Sequence, residues 1–104
     1  MAKYLLKKSY QLKNLEEIEF HDLWGDHGIF TTMWIFGRPG KILFFKNHLN
    51  NLIKSLKEYK ITKKSLRADI LSIIKKNLSK KKRYNHLIRI ALNKKIISIS
   101  LRKR

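Results

Sequence analysis

Cysteine is absent from this 104-residue sequence. Disulfides, thiolate zinc sites and cysteine nucleophiles are therefore excluded, which fits a reducing compartment. Long apolar runs are missing too, and nothing approaches the roughly 20 residues of a membrane span. Met1-Ala2-Lys3-Tyr4-Leu5-Leu6-Lys7-Lys8 holds only a short apolar patch and no cleavage-site pattern of a signal peptide. The expectation is a cytoplasmic protein without a membrane segment. There are no internal repeats and no linker, so the length predicts one domain over residues 1–104. Acidic residues are scarce, 7 against 25 Lys and Arg. Glycine and proline are also few, and they gather on either side of one stretch.

The formal net charge is +18. One reading is a polyanion partner such as nucleic acid, because clustered cations neutralise phosphates and release counterions. The other is composition bias, since lysine predominates and comes with many Ile and Asn. Specific nucleic-acid readers lean on arginine forks and stacked aromatics. Composition alone leaves both readings standing.

The stretch between the glycines organises the chain. Gly25-Asp26-His27-Gly28 leads into Ile29-Phe30-Thr31-Thr32-Met33-Trp34-Ile35-Phe36. Gly37-Arg38-Pro39-Gly40 follows, then Lys41-Ile42-Leu43-Phe44-Phe45. β-branched and aromatic runs bounded by Gly and Pro predict a hairpin, with strands over about 28–36 and 41–45. Before it, Lys3 to Tyr10, through Tyr4, Leu5 and Leu6, predicts an edge strand. Ile18 and Phe20 alternate with Glu17 and Glu19, as in a short strand.

After the hairpin, Leu49, Leu52, Ile53, Leu56 and Tyr59 share one helical face, which predicts a helix over about 47–59 with Asn47 as N-cap. Leu66, Ile70, Ile73, Ile74 and Leu78 predict a second helix over 63–78, with Thr62 as cap. Both stripes are read as core faces. Ser79-Lys80-Lys81-Lys82-Arg83 is a basic connector. Ile88, Ile90 and Leu92 alternate with Leu87, Arg89 and Ala91 in a strand, Asn93-Lys94-Lys95 turns, and Ile97, Ile99 and Leu101 mark a last strand. The predicted fold class is α+β, an antiparallel sheet with two helices packed on one face.

Ligand-type side chains gather only in His21-Asp22-Leu23-Trp24-Gly25-Asp26-His27. Two His and two Asp there suit a metal site or an acid–base pair. A polar loop in which Asp26 caps a turn before Gly28 explains the same residues, and no metal ligand and no catalytic residue is assigned.

Gly25-Asp26-His27-Gly28-Ile29-Phe30-Thr31-Thr32 resembles the Gly-Asp-Gly-hydrophobic-Phe signature of class IV pyridoxal-phosphate enzymes, with His27 as an insertion. These are the branched-chain and D-amino-acid aminotransferases and aminodeoxychorismate lyase. In that family a Gly turn, a short strand and a helix opening His-Leu-x-Arg-Leu follow. Here they are Gly37 to Gly40, Ile42 to Phe45 and His48-Leu49-Asn50-Asn51-Leu52, with Ser55 beyond. Ile88-Arg89-Ile90-Ala91-Leu92 is similar to a later family strand, and Thr31-Thr32 resembles the lyase branch.

The resemblance spans about residues 21–101. It implies the family's small N-terminal domain, with pyridoxal phosphate as cofactor and dimerisation as in the family. Phe30 would wall the substrate pocket, with Trp24 just before the turn, whereas Trp34 is expected to be a core aromatic. The family's phosphate-binding arginine falls on Asn51, an amide without the charged bidentate fork. The Schiff-base lysine belongs to a large domain beyond this stretch. The resemblance therefore implies half of a truncated or split enzyme, inactive alone and completed by a separate large domain. The alternative is a small basic RNA-binding or polyanion-binding protein that uses Lys75, Lys76, Lys80, Lys81, Lys82, Arg83 and the Arg102–Arg104 tail.

Overall fold

The computed structural model describes residues 4–23 and 28–103. Strands β1 (Tyr4–Gln11), β2 (Glu17–Ile18), β3 (Ile29–Gly37) and β4 (Lys41–Ile42) precede two helices, α1 (Phe45–Glu58) and α2 (Leu66–Asn77). Strands β5 (Tyr84–Leu92) and β6 (Ile96–Lys103) follow. All six strands join one antiparallel sheet in the order β2-β1-β6-β5-β3-β4. The fold is α+β, as the alternation of patterns predicts.

Period-2 alternation sorts the strands into two faces. Met33 and Ile35, then Ile88, Ile90 and Leu92, then Ile97, Ile99 and Leu101 all turn toward the helices and are buried. They form one cluster with Leu49, Leu52 and Leu56 of α1 and Leu66, Ile70, Ile73 and Ile74 of α2. Register holds these rows together, because Met33 pairs with Ile88 and Ile88 with Leu101. The stripes predicted from helical spacing are the faces that pack, except that Tyr59 lies beyond the end of α1 and is 62% exposed.

Several boundaries move. The second hairpin strand ends at Ile42 rather than Phe45. Leu43 N–H donates to Trp34 O at 2.9 Å, and then Phe44 turns the chain at φ 52. Phe45, partly buried against the core, opens α1 at once. Asn47 is therefore inside the helix and not its cap. Helix α2 starts at Leu66, with Ser65 and not Thr62 at the cap position. Lys63, expected inside that helix, instead pairs with Asp69 at 2.8 Å and donates to Leu12 O. Strand β5 begins at Tyr84, four residues before the stretch that alternates most clearly, because its pairing with β3 continues to Gly37.

The expected edge strand, β1, lies one place in from the edge. The short β2 covers only its Ser9 and Tyr10. The β3–β4 turn presses on the core at Gly40, where a Cβ would come within 2.8 Å of both Ile35 and Tyr84. Gly37 takes φ +89, the left-handed region that glycine enters at little cost.

Candidate functional site

Alternation that buries one face of the sheet presents the other. Phe30, Thr32, Trp34 and Phe36 of β3 lie on this second face, beside Asn85, Leu87, Arg89 and Ala91 of β5. Ser98, Ser100 and Arg102 of β6 and Ser9 of β1 complete it. No helix covers this face among the described residues. Residues 21–23 do cover part of it, and they are held by side chains from three strands.

The Ser9 Oγ accepts the His21 amide at 2.8 Å, and the Ser98 Oγ donates to the His21 carbonyl at 2.7 Å. The two hydroxyls sit 2.6 Å apart. Arg89 donates from Nη1 to the Asp22 carbonyl at 2.8 Å and to its carboxylate at 3.1 Å, and from Nη2 to the Leu23 carbonyl at 3.2 Å. Buried polar groups need such partners, and here they are backbone groups of one short loop.

Arg89 is the buried cation of this face, 7% exposed. Burial pulls its pKa below the ordinary arginine value, while Asp22 and then Tyr4 act in the other direction. Its guanidinium lies 4.7 Å from the centroid of the Phe30 ring, a cation–π contact. Phe30 itself is 47% exposed. A held cation and a half-open aromatic ring thus stand side by side at the start of β3. The open ring suits a planar or apolar group docked from above.

At the other end of β3, Trp34 and Phe36 pack ring on ring at 4.6 Å and 35°. Trp34 Nε1 donates to the Asn85 side chain at 3.0 Å. Trp34 was expected in the core. It is half-buried on the open face instead, because its even-numbered position alternates away from Met33 and Ile35.

The motif residues on the helix side also meet. His48 Nδ1 lies 3.3 Å from Thr31 Oγ1 and ties the first turn of α1 to β3. The amino-transferase class IV family model matches residues 28–101. The chain belongs to the class IV aminotransferase family. Comparison with curated proteins and with solved structures gives no match. The match begins at Gly28, so strands β1 and β2 precede it.

Class IV aminotransferases generally work with pyridoxal phosphate. The described residues of this class IV chain do not fit that group by themselves. Asn51 is exposed on α1, which packs on the opposite face of the sheet from Phe30. Every described lysine is exposed or half-exposed, whereas a lysine activated to bond to the cofactor is held in a desolvated site.

The acidic and imidazole groups before the turn divide. The Asp22 carboxylate is taken by Arg89 and His21 is exposed, held through its backbone. Trp24, Gly25, Asp26 and His27 lie outside the described residues, and so do the substrate-wall role expected of Trp24 and the turn expected of Asp26. No group of three or more potential metal ligands gathers among the described residues. No helix among them is long and apolar enough to cross a membrane.

Lys75, Lys76, Lys80, Lys81, Lys82 and Arg83 are exposed, as a polyanion surface requires. The place of Arg89 was not anticipated. The available signal is a lone arginine in the apolar alternation Ile88-Arg89-Ile90-Ala91-Leu92. A charge inside such a run is costly unless it is paired.

Proposed function

We propose that this chain is the small domain of a pyridoxal-phosphate-dependent class IV aminotransferase or aminodeoxychorismate lyase, with the cofactor-bonding lysine supplied by a separate large domain. The observation that carries the reading is the pairing of half-exposed Phe30 with buried Arg89 on the sheet face that no described helix covers. In the assembled enzyme Phe30 walls the substrate pocket and Trp24 flanks it, while Asn51, at the motif position of the family's phosphate-binding arginine, lies across the sheet from Phe30. The substrate is an amino acid or aminodeoxychorismate, and the location is cytoplasmic. Alone, the chain does not catalyse.

The test is a titration of the isolated chain with pyridoxal phosphate, followed by borohydride trapping and peptide mapping. Scattered adducts on surface lysines, with no saturation, are expected. Saturable binding at a single lysine would overturn the claim that the lysine lies elsewhere. Co-expression with a class IV large domain then tests the assembly. The two are expected to co-purify and to gain the absorbance of bound cofactor, and separate elution without it contradicts the proposal.

A further inference from the structure

Charge is unevenly distributed along this chain. From Ile70 to Arg104 there is no acidic residue. The fold gathers much of this part at one end of the sheet, where β3 and β6 finish and β5 begins. Lys82 and Arg83 lie in the loop that enters β5, with Arg102 and Lys103 on the neighbouring strand and Arg38 in the turn after β3. The described acids lie elsewhere. Glu16, Glu17 and Glu19 lie in or beside β2 at the far edge, Asp22 and Asp69 are ion-paired, and Glu58 closes α1. No carboxylate of the described chain offsets the positive field at this end.

The field surrounds aromatic surface. Trp34, Phe36, Arg83, Asn85, His86 and Lys103 line a shallow notch of about 550 Å³ that wraps the end of the sheet, with the two rings and Asn85 in the open-face rows and His86 and Lys103 in the helix-side rows. The two rings are held against each other, and the Asn85 amide oxygen fixes the indole edge. His86 Nδ1 accepts the Asn85 amide at 3.0 Å. In the neutral ring this leaves Nε2–H as a donor. Burial, then Lys82 and Lys103, holds the His86 pKa below its ordinary value and favours that neutral form. The notch is separate from the Phe30 wall. Phe30 pairs with Ala91 and Phe36 with Asn85, six residues along the strand, or about 20 Å.

A row of cations alone accepts any polyanion. Half-exposed rings among those cations favour a ligand with flat apolar faces spaced between phosphates, and only an unpaired strand presents its bases in that way. We propose that this end of the sheet binds single-stranded nucleic acid, with a base stacked on Trp34 and Phe36 and the flanking phosphates on Lys82, Arg83 and Lys103. An acidic peptide would satisfy the cations and leave the rings without a partner.

The experiment is fluorescence anisotropy of labelled oligouridylate and oligothymidylate, each about 12 nucleotides long, a length within the range such grooves cover. Saturable binding is expected, weakening with salt at a log–log slope near −2 for about three phosphate contacts. Trp34→Ala should lower affinity about tenfold, the size of one lost stacking contact, and Trp34→Phe should restore most of it. Arg83→Ala with Lys103→Ala should flatten the salt slope by about 1.4. Arg83 and Lys103 are exposed, so this double variant tests the proposal even if Trp34→Ala unfolds, which circular dichroism reports. Comparison of the two oligonucleotides decides between RNA and DNA as the source. The proposal is overturned by absence of binding at low salt, by a duplex or heparin binding as tightly with no effect of Trp34→Ala in folded protein, or by equal competition from oligoglutamate. None of these readouts involves pyridoxal phosphate, so this proposal and the enzyme reading fail independently.

Discussion

The two faces of the sheet use the same strands and differ in what finishes them. On the helix side, Ile88, Ile90, Ile97, Ile99 and their neighbours meet the apolar stripes of α1 and α2, and almost every contact is hydrocarbon on hydrocarbon. On the other side, Ser9, Ser98, Ser100 and Arg89 are also buried, yet hydrogen bonds to a short loop make several of the closest contacts. Beyond that loop the face stays partly open, with Phe30 at one end of β3 and Trp34 with Phe36 at the other. Burial on the first face is non-directional and depends on filled volume. On the second it depends on the geometry of a few polar atoms, and the surface left over is available for recognition.

Substitutions on each face sharpen that contrast. Ile99→Ala on the covered face should cost the most, about 3 kcal/mol in urea unfolding, because it leaves a cavity among residues that cannot collapse into it. A loss under 1 kcal/mol would mean that this core is loose. Arg89→Met on the open face should cost about 2 kcal/mol, through the carbonyls and carboxylate it leaves unmatched. It should also speed hydrogen exchange at the His21 amide, which Ile99→Ala does only through global unfolding.

Phe30→Ala should cost less than about 1 kcal/mol, little more than its cation–π contact with Arg89. A large loss would place Phe30 in the stability of the fold rather than in a pocket wall. The smallest effect is at His86. Its folded pKa lies below the ordinary 6.5, so as pH falls through that value the unfolded chain takes up the proton first. Stability should therefore decline on acidification below about pH 6.5, and His86→Gln should make that decline shallower in pH-dependent melting.

The covered face could be read from the sequence because its information is local. Apolar residues at period 2 in β3, β5 and β6, and at helical spacing in α1 and α2, mark the sides that pack. The open face was much less readable. Ser98 and Ser100 look like the solvent side of an amphipathic strand, and what buries them is a segment some 75 residues earlier in the chain, by sequence numbering alone. Trp34 carries the composition of a core residue, and only its parity relative to Met33 and Ile35 sets it outside. The start of α1 was misplaced because the turn is made by Phe44 in a left-handed conformation, where Asn or Gly would be the usual signal. Phe30 and Asn51 could be picked out by motif, but the motif does not say that the sheet separates them.

One of the two central strands, β6, is the last of the six in sequence. Strand β6 lies between β1 and β5, and Tyr4 pairs with Arg102. During synthesis, β1 must wait for nearly all of the following residues before it has its longer partner, β6, and such long-range closure is slow. Until residues 96–103 emerge, the nascent chain holds two strand groups, β2–β1 and β5–β3–β4, with no hydrogen-bond ladder between them. The apolar rows of β3 and β5 and the stripes of both helices are then incompletely covered, a state in which chaperone binding or aggregation competes with folding. A chain cut back to Asn93 should therefore be protease-sensitive, and restoring residues 94–103 should make it resistant.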